Sequence, residues 1–506
     1  MQDSTDPRPL QSETQQPLLK SVLTIRQYKF ALAAFLIPLG IRTIPEIIVG
    51  PYPVGWDTIA FYVPSTLDLA AGRVGPLGML GGAPLMYMIS LPVYLVSGVN
   101  PIWIFKVMGP GLYGCMAWAL YRFLRVSLSW PGKQALGGVM LSALYFVTLR
   151  IGWDLYRNML GMTFILLSLP FIQNWKGTRR QLTLSCLLLL AVASDQLTAT
   201  IALVLVAARA VDQLRKRNIG EIVGIVPIGI TSVALFSLIV YAGQIAPGQA
   251  VVQTQPALPG IERIWSSLGF PVYAFLPLLP FAVMGIRRTA SFELRIWSVF
   301  CVVAIFATLF PFYGLTVESY RWVLLLDIPV CVFAASGLRR VRTSTGSVRS
   351  LSNLILGRTV TIVSLGLLLS SLLYIAMPAQ QAFTYYTMFP NSIPTSMVQD
   401  SVPLSDMASL RIVLNWVAAR LGPDDALITH QAIYGWARVY LPSTDHIINY
   451  GYSSLLDGVT LANSSGYSNI FVIWWTPGLG WHGQSYLPNR FGIVFANGNM
   501  AAYAYQ

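Results

Sequence analysis

The chain has 506 residues, 55% of them hydrophobic and only 10% charged, with a formal net charge of +13. Soluble globular proteins carry about 25% charged residues, so this composition excludes cytosolic, secreted and fibrous proteins. The long continuous apolar runs also exclude an outer-membrane barrel, whose strands alternate in short segments. What remains is a polytopic α-helical membrane protein.

Residues 1–27 are polar and rich in Pro, Gln and Ser, as in a short disordered cytoplasmic tail. The apolar run that follows has no small-residue cleavage site, so it reads as a retained first helix rather than a signal peptide. The transmembrane domain spans residues 28–378. Its apolar runs give about eleven spans, at 28–49, 102–121, 135–151, 158–174, 181–195, 197–211, 221–243, 270–286, 296–313, 321–338 and 359–377.

Basic residues set the orientation. With the N-terminus inside, the inner segments collect Arg8, Lys20, Arg26 and Lys29, then Arg122, Arg125 and Lys133. Further along they collect Lys176, Arg179 and Arg180, then Arg209, Arg215, Lys216 and Arg217. Arg287, Arg288 and Arg295 follow, and then Arg339, Arg340, Arg342, Arg349 and Arg358. The outer segments and span ends keep Arg42, Arg73, Lys106, Arg150, Arg157, Arg263 and Arg321. Segment 81–97 is apolar but short and broken by Pro84 and Pro92. Counting it as a span would place the later basic clusters outside, so it reads as an interfacial or re-entrant piece of the first outer loop, about 50–100. No internal repeat is visible. This basic band accounts for the net charge without any nucleic-acid partner.

Residues 379–506 then lie outside. They hold Arg411, Arg420, Arg438 and Arg490 against Asp400, Asp406, Asp424, Asp425, Asp445 and Asp457, so this region is mildly acidic. Ser405 to Leu421 reads as an amphipathic helix with Ser405 as N-cap and Gly422-Pro423 as its stop. Short apolar strands follow at 426–429, 446–450, 470–475 and 491–496, and Asn497-Gly498 is a hairpin turn. This is a small α/β domain on the outer face. Cys115, Cys186, Cys301 and Cys331 all lie in apolar runs and read as small buried hydrophobes.

Ionisable residues at membrane depth are costly and each is a functional hypothesis. Asp57, Asp154, Asp195, Glu318 and Arg321 all fall at outer helix ends, which points to an active or ion site there. The bland readings differ by residue. Asp195 suits a helix N-cap as well as a site. Asp68 and Arg73 suit a solvated loop face. Arg42 and Glu46 are spaced to pair along one helix. Asp327 either pairs with a buried polar partner or sets Arg321. Arg150 and Arg157 suit interfacial snorkelling or an anionic headgroup, with Arg157 the stronger candidate.

These residues, in this order, resemble the GT-C superfamily of membrane glycosyltransferases, which includes protein O-mannosyltransferases and aminoarabinose transferases of lipid A. Gly55-Trp56-Asp57, the amphipathic stretch from Thr58 to Ala71 and the proline-broken 81–97 look like the superfamily's first outer loop. ESYRWVLLLDIPVCVFAASGL looks like its late span. The resemblance covers about three quarters of the chain. There are departures. The common Asp-Glu pair is here Asp57-Thr58, and Trp474-Trp475 is followed by Thr476, so the Trp-Trp-Asp core of oligosaccharyltransferases is missing.

The resemblance implies transfer of a sugar from a polyprenyl-phosphate donor to a glycan, lipid or protein acceptor at the outer face of the cell membrane. Asp57 would be the base, with Asp154 as second carboxylate or metal ligand. Arg321, then Arg157, would bind the donor phosphate. Asp195 or Glu318 would orient the base or hold the sugar. A carboxylate cluster suits a divalent cation, and the metal is left open. In the outer domain Trp474 and Trp475 read as core, and His482, in a glycine-rich loop, as a sugar or acceptor contact. Asn463-Ser464-Ser465 is a glycosylation sequon. Two rival readings are a transporter or flippase for a lipid-linked or anionic solute, and a non-catalytic assembly or sensor protein.

Overall fold

Long apolar stretches with few breakers make the membrane part helical, because only a helix satisfies every backbone group within its own segment. The computed structural model describes residues 16–245, 268–289, 291–307, 319–344, 351–377, 397, 399–441, 445–451, 454–479 and 486–506. Helix α1 (Gln16–Val49) leads to a π-turn (Thr58–Tyr62), α2 (Val63–Ala70), α3 (Pro76–Gly81) and α4 (Pro84–Ser97). Then come α5 (Pro101–Val126), α6 (Gly132–Ala143), α7 (Phe146–Asp154), α8 (Tyr156–Gln173), α9 (Thr178–Ser194), α10 (Gln196–Arg215) and α11 (Ile219–Ile245). The bundle ends with α12 (Phe270–Phe275), α13 (Leu279–Ile286), α14 (Phe292–Ala307), α15 (Ser319–Ser344) and α16 (Leu351–Ala376).

Four helices among the described residues are long and apolar enough to cross a bilayer: Tyr28–Val49, Gln196–Arg215, Ile222–Gly243 and Tyr320–Arg339. The pair α6 and α7 is a fifth candidate, bent by 71° at the break between them. Other helices fall short for physical reasons. Helix α9 has 17 residues and α14 has 16. Helix α5 is 26 residues long but is diluted by Lys106, Gly109, Pro110, Gly111 and Gly114. Segment 81–97 folds as the short helix α4 with Pro92 inside it, too short to span. Exposed apolar side chains such as Val223, Ile230, Ile362 and Leu369 point outward from α11 and α16, as lipid-facing residues do.

The C-terminal part is a five-stranded mixed sheet with helices. Helix α17 (Leu404–Ala418) precedes β1 (Asp425–His430), α18 (Gln431–Tyr440), β2 (Ile447–Gly451), α19 (Leu455–Ser464), β3 (Asn469–Trp475), β4 (Phe491–Asn497) and β5 (Met500–Tyr505). The strand order is β2-β1-β3-β5-β4. Strand β1 pairs parallel with β2 and β3, and the crossovers are α18 and α19. Strand β5 pairs antiparallel with β3 and β4, and Gly498, at φ +52°, closes the β4–β5 hairpin. Trp474 and Trp475 are buried core residues, as their apolar run implies. Trp475 Nε1 donates to Asp406 at 2.7 Å and so ties α17 to the sheet.

Three expectations are corrected. Ser405 does not cap α17: Pro403 holds the N-cap position, and the Ser405 hydroxyl donates to Asp406 at 2.8 Å. Cys186 is exposed on α9, because an apolar helix facing lipid has no need to bury it, and Cys115 is half-buried. Asp68 is not on a solvated face. It is buried, pairs with Arg73 at 2.7 Å, and also pairs with Arg438 of α18.

That last pair docks the sheet domain on the first loop. Helix α18 lies against the π-turn closely enough that a Cβ on Gly435 would sit 2.1 Å from the Ile59 carbonyl oxygen. Trp436 faces Tyr52 at 6.2 Å and donates to Ser401 at 2.9 Å. Gly435→Val is therefore expected to cost about 1–3 kcal/mol of docking, as overpacking does. Limited proteolysis between α16 and α17 should accelerate while the isolated sheet signature persists. Unchanged proteolysis would mean that α18 is not the docking element.

Candidate active site

The site begins with helix ends. Helix α7 finishes at Asp154 with its last carbonyls unpaired, as every helix does. Arg42 of α1, fully buried, donates from Nε to the Gly152 carbonyl and from Nη2 to the Trp153 carbonyl, each at 2.7 Å. Its guanidinium also lies 5.2 Å from the Trp153 ring centre. Glu46 balances the charge: it pairs with Arg42 at 2.8 Å and with Lys106 of α5 at 2.8 Å. Lys106 also donates to the carbonyls of Glu46 and Tyr52, each at 2.9 Å. The expected i,i+4 pair is thus real, but it is part of a three-charge network that fixes the end of α1 to α5 and α7.

Asp154, so held, pairs with Arg150 one turn earlier on α7. Its other oxygen accepts the backbone N–H of Asp57 at 3.2 Å. Arg150 is buried in this pair rather than snorkelling. Gly55 makes the approach possible. Its φ is +94°, and a Cβ there would lie 2.3 Å from the Asp154 Cβ. The Gly55 N–H donates to Asp400 at 3.2 Å. The loop 55–57 is therefore gripped by two buried carboxylates, one from the bundle and one from the chain entering the sheet domain.

Asp57, at the start of the π-turn, makes no side-chain cap bond. Its carboxylate faces Arg321 of α15 at 3.6 Å. Among the described residues this is the one ion pair the Asp57 side chain makes, and it accepts no hydrogen bond there. Arg321 keeps a quarter of its side chain exposed. It donates to the Tyr320 hydroxyl at 3.1 Å. Asp57 and Arg321 thus form a partly open acid–cation pair, whereas Asp154 is closed off with both oxygens engaged. Geometry gives Asp154 a positioning role.

Arg157, in the first turn of α8, donates to the Gly82 carbonyl at 2.9 Å and lies 5.9 Å from the Tyr62 ring centre. Tyr62 stacks on Tyr156 at 5.3 Å, so Arg157 lies beside the π-turn next to the loop that bears Asp57. Asp195 caps α10 by accepting the Thr198 N–H at 2.9 Å, and it accepts Asn158 Nδ2 at 2.9 Å. Among the described residues no hydrogen bond or ion pair links it to Asp57. Asp327 accepts the hydroxyl of Thr148 and is also bonded by Cys331 at 3.4 Å, which realises the buried-partner reading and leaves Arg321 to Asp57. Glu318 and His482 lie outside the described residues. Among the described residues, no three His, Cys, Asp or Glu side chains could together hold a metal ion.

Sequence reasoning missed Asp400 as a member of the site. It lies just before α17, in the sequence SMVQDSVPLS, which has no motif. Its neighbours lock it in: Trp153 Nε1 donates to the Gln399 carbonyl at 3.0 Å, and Gln399 Nε2 donates to the Tyr374 carbonyl at 2.9 Å. The only signal was a carboxylate just before a helix start. No family model and no curated protein matches the chain.

Two outcomes follow. Gly55→Ala would force a Cβ into Asp154 at positive φ; strain alone of about 1–3 kcal/mol is expected, read as a lowered melting temperature. A melting temperature equal to wild type would show that this contact is not the constraint. Burial pushes the Asp400 carboxyl well above the ordinary carboxylate range, against the Ser401 and Gly55 N–H groups that pull it down. A carboxyl raised on folding stabilises most when both states are protonated, and that contribution is lost as pH rises through its folded value. Asp400→Asn should therefore gain stability relative to wild type as pH increases above about 4, the unfolded Asp value. Parallel thermal melts across that range would refute the assignment.

Proposed function

We propose that the protein is a membrane glycosyltransferase of the GT-C type that uses Asp57 as its base. The observation that carries this reading is the Asp57–Arg321 pair, 3.6 Å apart, at the end of the bundle that carries the sheet domain. The chemistry needs both groups. An acceptor hydroxyl must lose its proton as its oxygen bonds the anomeric carbon, and Asp57 would receive that proton. The bond from that carbon to the donor phosphate breaks, and its electron pair leaves on the phosphate. Arg321 would meet that charge with a forked donor set, and Arg157 is its second. Asp195, and Glu318 and His482 by the resemblance, would contact sugar or acceptor.

The donor in this reading is a sugar on a polyprenyl phosphate, and the acceptor a glycan, lipid or protein. An apolar groove of about 240 Å³, lined by Leu141, Leu144, Leu278, Phe281, Leu367 and others, offers hydrocarbon surface for such a tail. The thread of about eleven spans, N-terminus inside and sheet domain extracytoplasmic in the cell membrane, belongs to the same proposal. It rests on the basic inner segments.

The transporter reading is favoured by one observation, a cationic cavity at the other end of the bundle. The two are separable. Purified protein in vesicles with radiolabelled polyprenyl-phosphate sugars should transfer label to an acceptor. Asp57→Asn should lower turnover by about 10²–10⁴-fold, the usual worth of a positioned base. Arg321→Gln should lower it by about 10²–10³-fold, as loss of one preorganised charge-stabilising group does. Uptake of anionic solute without transfer would select the transporter, and unchanged activity in Asp57→Asn would remove the base and favour a non-catalytic assembly protein.

A further inference from the structure

A sizeable cavity lies away from the carboxylates. About 850 Å³ opens at the opposite end of the bundle, where α5, α8, α10 and α15 finish and α14 begins. Arg209, Arg288 and Arg339 line it, with Gln173, Ser291 and Glu293. Arg321 and Arg339 are eighteen residues apart on α15, or about 27 Å of helical rise. That is close to one hydrocarbon thickness of about 30 Å, so the two polar sites lie at opposite membrane boundaries.

The charges of the cavity are unevenly satisfied. Glu293 is buried and accepts Gln173 Nε2 at 3.0 Å and the Ser291 hydroxyl at 3.1 Å, so its carboxylate is engaged before any ligand arrives. Arg209 pairs with Asp212 at 3.0 Å and donates to the Gln173 carbonyl at 3.2 Å. Its Nε is buried and, among the described residues, has no hydrogen-bond partner. Arg288 and Arg339 are exposed, and no ion pair holds them among the described residues. Arg295 braces the adjoining turn by donating to the Thr289 carbonyl at 3.0 Å. The result is a walled recess with three guanidinium groups, one of them carrying an orphaned buried donor. A buried donor without a partner is costly, and an anion with several acceptor oxygens would satisfy it.

We infer that this cavity binds a phosphate-bearing anion, held by Arg209, Arg288 and Arg339. The site is separate from the Asp57 chemistry by the thickness of the membrane. The phosphate can come from a free diphosphate or from an anionic lipid headgroup, since the recess stands at a membrane boundary.

The test uses the full chain in phosphatidylcholine nanodiscs, titrated with inorganic pyrophosphate by calorimetry. In parallel, nanodiscs containing phosphatidylglycerol are examined by native mass spectrometry for retained lipid. Saturable binding of pyrophosphate supports the site with a free phosphate as its source. Retention of phosphatidylglycerol without pyrophosphate binding supports it with a headgroup as its source. The double variant Arg288→Gln, Arg339→Gln alters only exposed side chains, and it should weaken whichever ligand binds by at least about ten-fold. Binding of neither ligand, or equal binding by the double variant, would overturn the inference.

Discussion

A guanidinium sealed from water organises the site. Arg42 holds the Gly152 and Trp153 carbonyls in the last turn of α7 and is neutralised by Glu46, which Lys106 shares. Removing charges from water is expensive, and such a network persists only when geometry and hydrogen bonds are nearly complete. Here Arg42 makes two carbonyl bonds and an ion pair at the negative end of a helix dipole, although its buried Nη1 has no hydrogen-bond partner among the described residues. The consequence is positional. The end of α7 cannot move relative to α1 and α5, so Asp154 has a fixed place, and Asp154 in turn fixes the loop that bears Asp57.

From that anchor the arrangement propagates in two directions. Toward the bundle, Asp57 meets Arg321 on α15, far away in sequence. Toward the sheet domain, Asp400 receives the Gly55 N–H, and α18 presses on the π-turn through Gly435 and the Asp68–Arg438 pair. The first loop is therefore clamped between two parts of the chain, and Gly55, at positive φ, is the residue that lets both carboxylates reach the backbone. Docking of the sheet domain and the shape of the candidate site are one mechanical problem.

Much of the fold was legible because it depends on local pattern. The strands at 426–429, 446–450, 470–475 and 491–496 and the turn at Gly498 follow from short apolar runs and turn chemistry, and the structure has them within a residue or so. The shortness of 81–97 followed from its prolines. The span count was less legible. Bends such as the 71° break between α6 and α7 divide apolar runs where no single residue announces it. Within the site, Asp57 and Arg321 were visible because charge in an apolar context is conspicuous. Asp400 and Asp68 were not, because each is an ordinary polar residue until a distant segment buries it.

The sequence by itself determined the class of molecule and which charged groups had to be accounted for. Composition fixes the solvent, periodicity fixes the helices and strands, and the scarcity of charge makes each ionisable residue stand out. Only the tertiary structure decided what each charge does. Asp400 accepts the Gly55 N–H, Asp68 meets Arg438, Asp327 turns to Thr148, and Asp57 is left facing Arg321. Which partner a carboxylate meets depends on contacts between helices tens to hundreds of residues apart. No local rule encodes those distances, because they arise from how the helix ends pack.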